Sequence, residues 1–333
     1  MKNYTVAVLG ATGAVGREML RILQERNFPV GKLIALGSER SNGSFVSFAG
    51  EQIPVQEATK ESFAGVDIVL GAADNQTALE FAPIITQNGA VFVDNSSAFR
   101  QYPNVPLVVP EINPEDVRKH EGIISNPNCT TAISLTAIAP LRALSPIRSI
   151  WAATYQAVSG AGIAGPVELQ QQITALGRGE PYPPQVFPHQ IAYNLIPRIG
   201  EHQELGYTSE EMKLQYEGRK ILRQPELTVS CTCVRVPVMR SHSVSASICF
   251  EDHVDVAAAR EILAAAPGCR LLDDLAAEEY PTPLLSSDQD LVLVGRLRQD
   301  LTDSNRLNLW CCGDQLRKGA ATNAVQFAEV LIK

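Results

Sequence analysis

Between a short apolar run and a helix-like stretch the chain places Gly10-Ala11-Thr12-Gly13-Ala14-Val15-Gly16. Three glycines at that junction constrain the fold more than any other segment. Thr5-Val6-Ala7-Val8-Leu9 before them reads as a strand. Arg17 to Glu25 after them carries Met19, Leu20, Ile22 and Leu23 and reads as a helix. A second strand follows at Lys32-Leu33-Ile34-Ala35-Leu36. Strand, glycine turn, helix and strand in this order form a βαβ unit of the kind that binds a dinucleotide at the helix N-terminus. The spacing is G-x-x-G-x-x-G rather than G-x-G-x-x-G. A tight turn is the competing reading of the glycines alone; their place between strand and helix favours phosphate binding by Gly10, Thr12 and Gly13.

The alternation continues. Residues 66–70 read as a strand, Thr77 to Gln87 as a helix, 90–94 as a strand, 107–110 as a short extended piece, and Ile123-Ile124 leads into a turn. This pattern predicts an α/β domain with a mostly parallel, doubly wound, Rossmann-like sheet. Near residue 148 the pattern changes. Residues 148–158, 227–236 and 242–250 read as strands with a Gly/Pro-rich region among them, which predicts an α+β second domain with an antiparallel or mixed sheet. A last helix is expected over 317–333, returning to the first domain. The expected division is 1–130 with 314–333, and 131–313.

The chain has 333 residues and a formal net charge of −8, with no Lys/Arg cluster. Nucleic-acid or anionic-membrane binding therefore has no electrostatic basis, whereas a small anion needs only one or two placed cations. No run approaches the ~20 apolar residues of a membrane span, and the N-terminus reads as a strand rather than a signal peptide. Seven cysteines stand at irregular spacing. Cys231-Thr-Cys233 and Cys311-Cys312 lack the second half of a zinc site. The expectation is a cytoplasmic, reduced, metal-free protein.

One cysteine stands apart, in Ser125-Asn126-Pro127-Asn128-Cys129-Thr130-Thr131. Pro127 disfavours helix at Asn126, so a helix is expected to start near Asn128. Cys129 then lies in the first turn, where open backbone N–H groups and the helix dipole favour a thiolate nucleophile. A small buried apolar residue is the competing reading. After the second strand, Ser38, Arg40 and Ser41 offer donors to a ribose 2′-phosphate, which favours NADP(H) over NAD(H). Glu39 is expected to face solvent.

With these motifs the chain strongly resembles the aspartate-β-semialdehyde dehydrogenase family over essentially its whole length. The resemblance rests on the glycine loop, on Ser125 to Thr131, on Tyr155-Gln156-Ala-Val-Ser159-Gly160, on Phe187 to Asn194, on Cys233-Val-Arg235-Val-Pro237 followed by His242, and on Gly313 to Ala321. It implies NADPH-dependent reductive dephosphorylation of L-aspartyl 4-phosphate to aspartate 4-semialdehyde, a step feeding lysine, methionine, threonine and diaminopimelate synthesis. It implies Cys129 as the thioester-forming nucleophile, His242 as acid–base residue and Gln156 as the group orienting the acyl intermediate. It also implies Arg100 and Lys213 as phosphate ligands, Arg235 on the α-carboxylate, Glu210 on the ammonium, and Asn128 beside the substrate. Cofactor contacts extend by the same resemblance to Ala14, Val15, Ser159, Gly160 and Gln315, and a homodimer through the second domain is expected.

Physical readings of these residues run alongside. Glu210 and Lys213 share a helix face at i,i+3, and spacing alone favours a solvated surface ion pair. Arg235 and His242 are seven apart, on opposite faces of an unbroken strand. Both reach one site only if the strand breaks, which Pro237 and Arg240-Ser241 allow. Asp74 is an odd charge for a loop beside an anionic cofactor unless it points away.

Three other activities compete. N-acetyl-γ-glutamyl-phosphate reductase shares the chemistry, but more typically has Gly before its cysteine, where this chain has Asn128. A non-catalytic NADP-binding paralogue would lack the nucleophile. Glyceraldehyde-phosphate dehydrogenase would continue Cys-Thr-Thr with Asn, where this chain has Ala132.

Overall fold

The computed structural model describes residues 2–333. They form two compact units, one running to Asn128 and taking up Ala320–Lys333, the other Cys129–Gly319. The expectation from sequence places these divisions at 130/131 and 313/314.

The first unit contains β1 (Tyr4–Leu9), α1 (Ala14–Glu25), β2 (Val30–Gly37), β3 (Phe45–Phe48), β4 (Glu51–Glu57), β5 (Ile68–Gly71), α2 (Asn75–Gln87), β6 (Val91–Asp94), β7 (Ile123–Ser125) and the C-terminal helix Thr322–Leu331. Its seven strands are ordered β3-β4-β2-β1-β5-β6-β7. All pairs are parallel except β3 with β4. Both faces are covered, as a parallel sheet requires. Val6 and Val8 pack with Met19, Ile22 and Phe327 from α1 and the C-terminal helix. Ala7 and Leu9, pointing the other way, pack with Phe81 and Ile85 of α2. The period-2 alternation of β1 thereby serves two cores at once, each large apolar side chain contributing about 1.5–3 kcal/mol. The terminal helix is shorter than expected, because 317–321 forms a wide π turn before it.

The second unit contains α3 (Cys129–Ile138), β8 (Ile147–Gln156), α4 (Ala164–Gly177), α5 (Ser209–Leu222), β9 (Thr228–Arg235), β10 (His242–Phe250), α6 (Val256–Ala265), β11 (Cys269–Leu271), α7 (Pro283–Ser286), β12 (Val292–Gln299) and β13 (Arg306–Gly313). Its sheet is ordered β11-β12-β13-β10-β8-β9. It is mixed: β8 with β9 and β11 with β12 run parallel, the other pairs antiparallel. Helix α3 is apolar on every side, and Thr130 to Ile138 are all buried, as for a helix enclosed by other elements. It packs against α5, β10, β12 and β13. The strand read as 148–158 ends at Gln156 because the chain turns there: the Val158 N–H leaves the ladder for the Val238 carbonyl, at 2.9 Å. Among the described residues no helix is long and apolar enough to cross a membrane.

Candidate active site

In the first unit the strand order reverses beside β1. The chain builds outward through β2 on one side and through β5 on the other. Ligands of doubly wound sheets bind at the carboxyl ends of the strands flanking that switch point. A cavity of about 550 Å³ lies there, lined by Gly10, Thr12, Gly13, Ser38, Arg40 and Ser41, with Ala72 and Ala73 following β5. Gly10 has φ +87°, and a Cβ on it would stand 2.6 Å from the Ala72 carbonyl oxygen. A Cβ on Gly16 would stand 2.8 Å from Ala11 Cα. The glycines therefore close the turn tightly. Gly13 caps α1 in extended conformation without a side-chain hydrogen bond, so the N-terminal amides of α1 face no competing side-chain acceptor. Ala14 and Val15 form the first turn behind it, half-buried. The Thr12 and Ser41 hydroxyls lie 3.3 Å apart, tying the glycine turn to the loop after β2. This cradle fits a dinucleotide.

Four acidic residues line the same cavity, Glu39, Glu57, Asp74 and Glu80. Glu39 is exposed, as expected, yet shares a short 3-10 turn with Arg40 and so also borders the groove. Asp74 caps α2, accepting the Thr77 N–H at 2.9 Å. That backbone bond holds its pKa below the usual carboxylate value, and the helix N-terminus offsets its charge. Arg100, also in this unit, is buried. Its Nε donates to the Asn126 carbonyl at 2.8 Å and its Nη2 to the Asn95 carbonyl at 2.9 Å. Asn126 is itself buried and donates to Asn95 Oδ1 and to the Ala320 carbonyl. Asn128, buried as well, ends the unit immediately before the cysteine.

In the second unit Cys129 is the first residue of α3 and is half-buried. The helix starts where Pro127 lets it, one residue past the expected point. A Cβ on Gly319 would stand 2.8 Å from Cys129 Cβ and 3.1 Å from its Cα. Gly319 was not singled out in the sequence; its only signal was membership of the Gly313–Ala321 segment.

Sheet register gathers the remaining groups at one end of the strands. Gln156 pairs with Arg235 across β8 and β9, and His242 pairs with Gly313 across β10 and β13. Strand β9 stops at Arg235 and β10 starts at His242, so the strand breaks between the two residues. The intervening residues cross the end of β8, where the Val236 N–H bonds the Gln156 carbonyl at 3.1 Å. Arg235 Nη1 and His242 Nε2 would lie 2.9 and 3.3 Å from a Cβ on Gly160. Both side chains therefore address one spot, and only glycine leaves room there.

Arg235 is 7% exposed, where its strand position alone also allowed a surface residue. Its Nη1 donates to the Ala157 carbonyl at 2.6 Å, and its guanidinium lies 5.8 Å from the Phe187 ring centroid. Burial pulls its pKa down, while Cys129, Glu210 and Cys233 pull it up. Glu210 accepts from Gln156 Nε2 at 3.1 Å and from Lys213 Nζ at 2.8 Å. With Glu210 only 8% exposed, the pair is not the solvated surface pair that spacing favoured. The capping box of Thr208 and Glu211 fixes the first turn of α5 and turns Glu210 inward.

His242 is fully buried. Its Nδ1 accepts the Ala157 N–H at 3.1 Å. Burial, reinforced by Arg235 and opposed by Glu210, holds its pKa down at about 3. The ring is neutral at pH 7. Nε2 is buried and has no hydrogen-bond partner among the described residues. Gln315 is 2% exposed, and both ends of its amide are engaged within this unit: Oε1 accepts the Ser241 N–H at 2.8 Å and Nε2 donates to Ser159 Oγ.

Residues 5–120 match the semialdehyde dehydrogenase NAD binding domain, and residues 138–318 match the semialdehyde dehydrogenase dimerisation domain. An aspartate-semialdehyde dehydrogenase of Synechocystis sp. is 47% identical, over 98% of this chain and 97% of its own length. The chain belongs to the aspartate-semialdehyde dehydrogenase family. The Aquifex aeolicus member is likewise 47% identical, over 99% of this chain and 98% of its own. Aspartate semialdehyde dehydrogenase II of Vibrio cholerae, solved in complex with ASA, superposes with a TM-score of 0.97 at 41% identity, covering 100% of this chain and 99% of that one. The first unit accordingly carries the family's NAD(P)-binding fold.

Proposed function

We propose that this protein uses NADPH to convert L-aspartyl 4-phosphate into L-aspartate 4-semialdehyde, releasing phosphate, as an enzyme of amino-acid biosynthesis. One observation carries the residue-level reading: a half-buried cysteine opens a helix, and in the same unit a buried arginine and a buried histidine are aimed at one spot beside Gly160. The Cys129 thiolate attacks the acyl carbon, the phosphate leaves, and a thioester remains on sulfur. The nicotinamide, when bound, supplies the two electrons that take the acyl group to the aldehyde level. Breaking the C–S bond then returns the thiolate. His242 meets the reacting oxygen or sulfur through Nε2, the ring nitrogen with no hydrogen-bond partner among the described residues. Arg235 grips the α-carboxylate as a bidentate fork. Glu210 receives the ammonium, with Gln156 holding the carboxylate in place. Lys213 and Arg100 take the phosphate. Asn128 lies next to the nucleophile.

Arg40, Ser38 and Ser41 receive the 2′-phosphate, which makes NADP(H) the preferred cofactor. The protein works as a cytoplasmic homodimer assembled through its second unit. The test is phosphate-dependent NADP⁺ reduction with aspartate semialdehyde, against N-acetylglutamate semialdehyde. A buried Glu210 suits a free ammonium and rejects an acetylated nitrogen, so only the first substrate should turn over. Cys129→Ala should abolish turnover and leave NADPH binding intact. Turnover of the acetylated substrate, or substantial activity in the cysteine variant, refutes the assignment.

A further inference from the structure

We propose that Gln315 is a positioning residue for His242: it holds the Ser241 turn so that the ring meets the Ala157 amide and carries its proton on Nε2. The inference rests on the reading of His242 as the residue that meets the reacting group, and it departs from the cofactor contact that family resemblance gives Gln315.

Ser241 precedes His242 with φ 75°, in the left-handed region that a residue with a Cβ enters at a cost. Such a turn persists only when its surroundings fix it. Ser241 is fully buried, so its N–H needs a protein acceptor. Gln315 Oε1 provides one at 2.8 Å. The far end of the same amide donates to Ser159 Oγ. Ser159 in turn bonds the same crossing segment, its N–H donating to the Met239 carbonyl at 3.3 Å. The neighbouring Asp314 clamps the preceding residue, accepting Arg240 Nε at 2.6 Å and the Asp288 N–H at 2.7 Å. Two consecutive residues after β13 thus fix two consecutive residues before β10. They extend the His242–Gly313 pairing one step beyond the ladder.

The consequence falls on the ring. A backbone N–H can only donate, so Nδ1, which meets the Ala157 N–H, must accept. The neutral ring then carries its hydrogen on Nε2. Nε2 points to the space beside Gly160, where Arg235 Nη1 also points. His242 therefore enters the reaction as a hydrogen-bond donor to the oxygen that gains charge when the acyl carbon is attacked. The charged groups acting on the ring are Arg235 and Glu210, whereas the neutral Gln315 amide acts on it through the Ser241 turn.

The experiment uses the full chain with 15N-labelled histidine. The His242 ring signals are identified by their loss in His242→Gln, and their shifts report which nitrogen is protonated. In Gln315→Leu the Nε2-protonated form should give way to a mixture. With saturating substrates kcat should fall roughly tenfold or more, while the NADPH dissociation constant, read by fluorescence titration, stays within about twofold. Gln315→Asn withdraws the amide by one methylene and should reproduce the result if the leucine variant does not fold. An unchanged ring signal with weakened NADPH binding would overturn the proposal and return Gln315 to the cofactor. A shifted ring signal with unchanged kcat would uphold the positioning and instead remove His242 from the chemistry.

Discussion

A single proton inventory governs the residues around His242. His242 is neutral because it is buried beside the Arg235 cation, and its pKa is about 3 against an ordinary 6.5. In the unfolded chain the same ring binds a proton below pH 6.5. The unfolded state therefore holds more protons throughout the window between the two values, and stability falls as pH falls through it. The slope from this group is at most about 1.4 kcal/mol per pH unit. Denaturant unfolding from pH 7 to 4 should show a shallower decline for His242→Gln than for the parent chain. Parallel declines would mean that the ring is not held neutral. A second residue-scale outcome concerns Arg40, exposed at the rim of the groove. Arg40→Ala should raise the Michaelis constant for NADP⁺ well above its effect on that for NAD⁺, because a 2′-hydroxyl offers no dianion to grip. Equal effects would assign the 2′-phosphate elsewhere.

At the scale of elements, Cys129 depends on a close approach between two segments. Helix α3 begins at Cys129, and the π turn 317–321 lays Gly319 on it. A methyl group there would meet Cys129 Cβ at 2.8 Å and Gln315 Cβ at 3.4 Å. Gly319→Ala must push the cysteine or the turn aside. Overpacking of this kind costs about 1–3 kcal/mol. Thermal unfolding should shift down accordingly, and kcat should drop more than either Michaelis constant rises. A variant with parental melting temperature and kcat would show that the contact yields without consequence. Gly10 plays a different part, since its φ of +87° and its approach to the Ala72 carbonyl both exclude a side chain.

For the whole molecule, one surface is left to explain. The sheet of the second unit is covered on one side by α3. The other side carries Trp151, 44% exposed, with the Arg306 guanidinium 4.1 Å over its ring, and Tyr155 against Trp310 at 5.3 Å between centroids. Aromatic residues and arginine on a partly open face are typical of a protein interface. The matched dimerisation domain supports a homodimer, and the prediction is that a second copy of this chain sits on this face. Trp151→Lys should shift the sedimentation profile from dimer to monomer at micromolar concentration. A dimer that withstands this change, with Arg306→Glu added, would place the interface elsewhere.

The local elements were legible in the chain because their causes are local. Period-2 runs, a glycine turn, and a proline before the cysteine fix β1, α1 and the start of α3 within a few residues, whatever the rest of the molecule does. The break between Arg235 and His242 was also legible, through the odd separation and Pro237. Burial of Glu210 was not. An i,i+3 Glu–Lys pair looks the same in sequence on a wet face as on one packed against Gln156, and only the contact with Gln156 distinguishes the two. Gly319 was opaque for the same reason, since its neighbour Cys129 is nearly two hundred residues away in the chain. The role of Gln315 likewise depends on which backbone amides surround it. Identity, spacing and propensity are properties of neighbours along the chain. Desolvation, tautomer and close approach are set by neighbours in space, and those exist only once the sheets have paired.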